Sequence, residues 1–233
     1  MAEEMLDSIL DWCFKNTNIL RAKDFSDNGK GLIHFASEKG YSLIITKLLA
    51  KGVEVDRKDN LGCTPLHLAA SNGQIDVAKL LLENGSDVNC HTNSKNTPLH
   101  YSSRHVQFEM MKCLLLSGAN VSAQNNNGNT TLHFVSDLGR VDMAKVLLQN
   151  GAHVNCVNSD LITPLQFSAL NGNTKMTEFL LENGAEVKSL SRRNYETPLH
   201  TAALNGHLEV AEQLINNGAE VDCLTRNKNT PLL

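Results

Sequence analysis

The chain has 233 residues, 41% of them hydrophobic, and a formal net charge of −4. It is too apolar for a disordered chain and too acidic for a general attraction to nucleic acid or anionic membrane. No stretch approaches the roughly 20 apolar residues of a membrane span, and the opening Met1-Ala2-Glu3-Glu4 is acidic where a secretory signal is basic.

In chain order, Leu6, Ile9, Leu10, Cys13 and Phe14 come first, at helical spacing beside Trp12, and predict a capping helix over residues 1–25. The chain then repeats itself. Thr64-Pro65-Leu66-His67 returns as Thr97-Pro98-Leu99-His100, Thr130-Thr131-Leu132-His133, Thr163-Pro164-Leu165-Gln166, Thr197-Pro198-Leu199-His200 and Thr230-Pro231-Leu232. Successive spacings are 33, 33, 33, 34 and 33 residues, and one step back lies a decayed copy, Gly31-Leu32-Ile33-His34. Such a period means stacked units in place of one closed core. The units read as 26–58, 59–91, 92–124, 125–157, 158–191 and 192–224, with the start of another at 225–233.

In the unit 59–91, Asp59-Asn60-Leu61-Gly62 is turn chemistry. The Thr64 hydroxyl is placed to cap a helix that starts with Pro65, where a missing N–H costs little. Leu66, Ala69 and Ala70 face one way, and the alanines are small because another helix must come close. Asn72-Gly73 ends this helix, and a second follows from Ile75 to Glu83, with Val77, Ala78, Leu80, Leu81 and Leu82 apolar. Gly85 stops it, and Ser86 to Cys90 is read as extended. Helices this short do not persist alone in water, so the units must stack.

This pattern resembles the ankyrin repeat over about residues 26–233. The resemblance implies an all-α repeat solenoid of antiparallel helix pairs joined by β-hairpin-like fingers. It implies further that His34, His67, His100, His133 and His200 hydrogen-bond within the framework. It points to a protein-binding scaffold or adaptor, with a partner protein on the concave face of fingers and first helices.

Several units depart from the pattern. Gly31 lacks a capping hydroxyl, which predicts a weakly started helix. Ser102-Ser103 replace the alanine pair, and Val106 stands where glycine would take a left-handed backbone, at a cost of roughly 1–2 kcal/mol; a re-routed loop is expected there. Asn125-Asn126-Asn127-Gly128 is a strong turn, Gln166 takes the His place, and one extra residue near Leu190-Ser191 is expected at a finger. The sequence stops one turn into the last unit, so a longer array is expected; the alternative is a chain that ends there and frays.

Residues for catalysis, cofactors or metals do not converge. The five histidines hold one place per unit, a ladder at about 8–10 Å spacing instead of a cluster around one ion. Nucleotide-loop, zinc-protease and nucleophile-elbow motifs are missing. Six cysteines include no Cys-x-x-Cys, and Cys90, Cys156 and Cys223 fall in alternate units, roughly 20 Å apart by helix stacking, too far for a disulfide. A reducing compartment fits, the cytoplasm first and the nucleus second. The glycosylation patterns at Asn120 and Asn129 are then chance matches.

Turn tips are normally polar, yet Leu138, Leu161, Ile162, Leu170, Tyr195 and Leu204 break that rule on adjacent units. Together with Arg104, His105 and Arg193 they are the candidate partner-binding residues. A plainer reading lets Leu138, Leu170 and Leu204 merely pack neighbouring helices. Arg192, Arg193, Arg226 and Lys228 gather on the last fingers, either for an acidic protein or phosphate or as a solvated rim. Asn89, in Asp87-Val88-Asn89-Cys90, resembles the ankyrin sequence that asparaginyl hydroxylases modify; the plainer role is to brace a turn. The expected partner is therefore a protein, without nucleic acid or membrane insertion. Other readings are a targeting segment of a longer enzyme or channel, and a secreted microbial effector.

Overall fold

The computed structural model describes residues 28–231. The expected capping helix over 1–25 lies outside the described residues, as do Leu232 and Leu233. Among the described residues there are twelve helices and no strand. The chain divides into two compact units, Met1–Ala119 and Asn120–Leu233.

The first unit holds α1 (Leu32–Lys39), α2 (Ser42–Ala50), α3 (Pro65–Asn72), α4 (Ile75–Glu83), α5 (Pro98–Arg104) and α6 (Phe108–Leu116). The second holds α7 (Thr131–Asp137), α8 (Val141–Gln149), α9 (Pro164–Leu170), α10 (Thr174–Glu182), α11 (Pro198–Leu204) and α12 (Leu208–Asn216). Within each unit the odd-numbered, inner helices lie side by side, and each packs against the outer helix that follows it. This buries Ile33, Leu66 and Leu99 with Ile45, Leu81 and Leu114 in the first unit. It buries Leu132, Leu165 and Leu199 with Leu147, Leu180 and Leu214 in the second.

Within each unit, histidines join one repeat to the next. His67 Nδ1 accepts the Thr64 main-chain N–H at 3.2 Å and the Thr64 hydroxyl at 2.9 Å. An accepting Nδ1 leaves the proton of the neutral ring on Nε2. That Nε2–H donates to the carbonyl of Asn96, in the next finger, at 3.0 Å. His34 reaches Arg57 and Cys63 in the same way, His133 reaches Ile162, and His200 reaches Asn229. Because of this bond, the hydroxyl cap read from the sequence is only part of the start signal. Thr97, Thr163 and Thr197 do accept from the N–H three residues on, yet the hydroxyls of Thr64, Thr97, Thr130 and Thr197 all turn to the ring Nδ1. Gly31 has no hydroxyl, and its N–H still donates to His34 Nδ1 at 3.1 Å, so α1 forms.

Two local expectations fail. The loop at Val106 is not re-routed: Val106 takes the left-handed backbone itself, with φ +60, like Gly73 in the preceding repeat. The stretch 86–90 is not extended throughout: Cys90 N–H donates to the Asp87 carbonyl, and the Asp87 carboxylate accepts from Asn89 N–H, closing a turn. The extra residue lies in the finger Ser191–Glu196. There Tyr195 N–H reaches back four residues to Ser191, where Leu161 N–H reaches back three to Asn158.

Candidate protein-binding face

Each finger closes on its first residue by main-chain and side-chain bonds. Asn158 Oδ1 accepts the N–H groups of Asp160 and Ile162, and Leu161 N–H donates to the Asn158 carbonyl. The tip residue is thereby left-handed. Gly128 supplies such a backbone freely, but Leu161, Tyr195 and Lys228 adopt it at φ +59, +57 and +62. For a residue with a Cβ this costs roughly 1–2 kcal/mol. Neighbouring tips are tied by Ser159 N–H to Asn127, Arg192 N–H to Asp160 and Arg226 N–H to Asn194.

In the second unit, Leu161 (39% exposed) and Tyr195 (46%) therefore stand on successive tips. Ile162 is half-buried, its main chain clamped between Asn158 and His133. Leu138 is the C-cap of α7 and exposed; Leu170 and Leu204 end α9 and α11. Leu170, with an inner helix on either side, is still 43% exposed. Arg193 is exposed on the enlarged finger, and the Arg226 guanidinium lies 5.5 Å from the centre of the Tyr195 ring.

The first unit holds the other candidates. Arg104 ends α5, exposed, and the His105 ring stacks on Tyr101 at 6.3 Å. Asn89 is exposed, and its Nδ2 donates to the Gly118 carbonyl at 3.3 Å. It thus spans to the next repeat, as Asn155 does to Gly184.

One recurring cluster has the outline of a thiol–imidazole pair. Cys90 Sγ lies 3.3 Å from the Thr64 hydroxyl and 3.7 Å from His67 Nδ1. Burial pushes the thiol up to about 12, and both ring nitrogens of His67 are already engaged. Neither a thiolate nor a free base is on hand, and Cys156 with His133 and Cys223 with His200 repeat the arrangement. It belongs to the framework. Cys63, Cys90, Cys113, Cys156 and Cys223 are all free thiols.

The sequence model of the family described as ankyrin repeats (3 copies) matches residues 2–92, 33–125, 85–158 and 165–233. The chain belongs to the ankyrin repeat family. Among solved structures it is similar to the crystal structure of the human ASB11 ankyrin repeat domain, with 28% identity and a TM-score of 0.78 over 87% of this chain and 90% of that one. No curated protein matches it in sequence. Ankyrin repeats are in general protein–protein interaction modules, typically without catalysis. With 597 matching chains of known structure, the ankyrin fold does not by itself specify a partner.

Sequence reasoning passed over one feature of this ankyrin chain. The residue after the framework His, or after Gln166 in its place, is aromatic in four repeats: Phe35, Tyr101, Phe134 and Phe167. Phe35 is exposed and the other three are half-buried. Tyr101 and Phe167 set their edges against the His of the preceding repeat, at 5.2 and 5.7 Å between ring centres. Phe134 shares a helix face with Leu138, four residues on, and Phe167 with Leu170, three on. Within the second unit the exposed leucines thus continue the faces of Phe134 and Phe167, and the signal in the sequence was recurrence at the same period as the His.

Proposed function

We propose that this ankyrin chain is a non-catalytic recognition scaffold that docks a partner protein on the fingertips and inner helices of its second unit. The observation that carries this is the pair of tips at Leu161 and Tyr195. Each holds a bulky side chain outward on a backbone that glycine would take at no cost, and strain of this kind gathers at functional positions. Leu138 and Leu170 extend the apolar surface along the inner helices, and polar tip residues rim it, as at contact sites. The free thiols suit work in a reducing compartment, the cytoplasm or the nucleus.

The test is affinity capture with the intact protein, identification of the captured partner by mass spectrometry, and titration of that purified partner. The Leu161→Asp, Tyr195→Asp double variant should bind at least about tenfold more weakly. Its melting midpoint should stay within a few degrees, because both side chains are exposed at tips. Undiminished affinity in this variant would remove the proposed face.

A further inference from the structure

The second unit is acidic, with eleven Asp and Glu against eight Lys and Arg, counted over 120–233. Four of those eight cations, Arg192, Arg193, Arg226 and Lys228, lie on two neighbouring fingers. The remaining four are elsewhere: Arg140 pairs with Asp142, Lys188 pairs with Glu220, and Lys145 and Lys175 sit exposed on outer helices. The finger cations are exposed and make no ion pair among the described residues. Concentrating like charges at one edge of an acidic body costs free energy unless something anionic meets them.

The edge is also built differently from its neighbours. The finger Ser191–Glu196 is one residue longer than Asn158–Ile162, and the added length presents Arg192 and Arg193 beside the Tyr195 tip. Arg226 lies over the Tyr195 ring, which holds a planar fork of donors ready for a carboxylate. Leu161, Tyr195 and Lys228 occupy one backbone place on three successive fingers. They form a row that runs from apolar to basic.

We infer that these three fingers dock an extended acidic segment of the partner protein, with apolar side chains over Leu161 and Tyr195 and carboxylates on Arg193, Arg226 and Lys228. The inference rests on the recognition role proposed above and gives that partner its chemistry. Stacked repeats advance about 8–10 Å and an extended chain about 3.3 Å per residue, so every third residue of the segment meets a new finger. The segment alternates on that spacing, with apolar positions leading into Asp or Glu.

A random peptide library displayed on phage and selected on the intact protein tests this. The selected pool should be enriched in Asp and Glu over the input, with apolar residues three apart. A synthetic peptide of the selected sequence should bind about tenfold more weakly to the Arg193→Glu, Arg226→Glu variant. The Lys145→Glu, Lys175→Glu variant, with the same change in net charge, should bind it unchanged. Failure to enrich, a neutral or basic pool, or equal losses in both variants would overturn the inference. Tighter binding of a single-stranded oligonucleotide than of the peptide would overturn it too. If the captured partner is lost in Leu161→Asp, Tyr195→Asp yet kept in Arg193→Glu, Arg226→Glu, the acidic segment is wrong and the docking face stands.

Discussion

Gln166 and Glu196 are joined by the bond that His34, His67, His133 and His200 make in other repeats. Gln166 Nε2 donates to the Glu196 carbonyl at 2.8 Å, and Gln166 Oε1 accepts the Thr163 N–H at 3.0 Å. The amide oxygen stands where Nδ1 would be, and the amide nitrogen where Nε2 would be. Gln166→His should therefore shift the urea midpoint little. Gln166→Leu leaves a buried N–H and a carbonyl unpaired and should cost about 2–4 kcal/mol. Equal midpoints for the leucine variant and the parent would show that the bond does not hold the repeats together.

The histidine version of this bond is sensitive to acid where the glutamine version is not. Burial drives His67 down to about 4, against the opposing pull of the Asn96 carbonyl, and burial lowers His34 as well. The unfolded ring takes its proton near pH 6.5, before the folded one does. The associated stability is complete above about pH 6.5 and is lost as the pH falls through the window down to about 4, on the order of 3 kcal/mol for His67. His67→Gln should flatten the dependence of the melting midpoint on pH over that window. A slope as steep as the parent's would move the acid sensitivity to other groups.

Val106 carries a left-handed backbone with a β-branched side chain, at φ +60. Val106→Gly removes strain of roughly 1–2 kcal/mol and gives back part of it through the more flexible unfolded chain. The expected net gain is up to about 1 kcal/mol. A lowered thermal midpoint would mean that the half-buried side chain contributes more by packing than its backbone costs.

Tyr195→Gly separates stability from recognition. It relaxes the tip at φ +57 and so should leave the midpoint unchanged or slightly raised. It also removes the ring beneath Arg226, and partner affinity should fall. A gain in stability together with full affinity would make Tyr195 a bystander.

The period of 33 residues determined the fold class by itself. Helices of seven to nine residues cannot stand alone, so the recurrence of Thr-Pro-Leu-His with its apolar partners left stacking as the way to bury both faces. The helix stops at Gly73 and Gly85 were equally legible, since glycine takes φ +68 and +87 at no steric cost. What local preference could not give was the backbone at Val106, Leu161 and Tyr195. Each residue alone would avoid φ near +60, but bonds from neighbouring repeats over-determine the tips, such as Arg192 N–H to Asp160 and His133 to the Ile162 carbonyl. The edge of Phe167 against His133 and the guanidinium of Arg226 over Tyr195 likewise join residues more than thirty apart in the chain. Such contacts exist only once the repeats are stacked, because folding, and no local propensity, brings those side chains together.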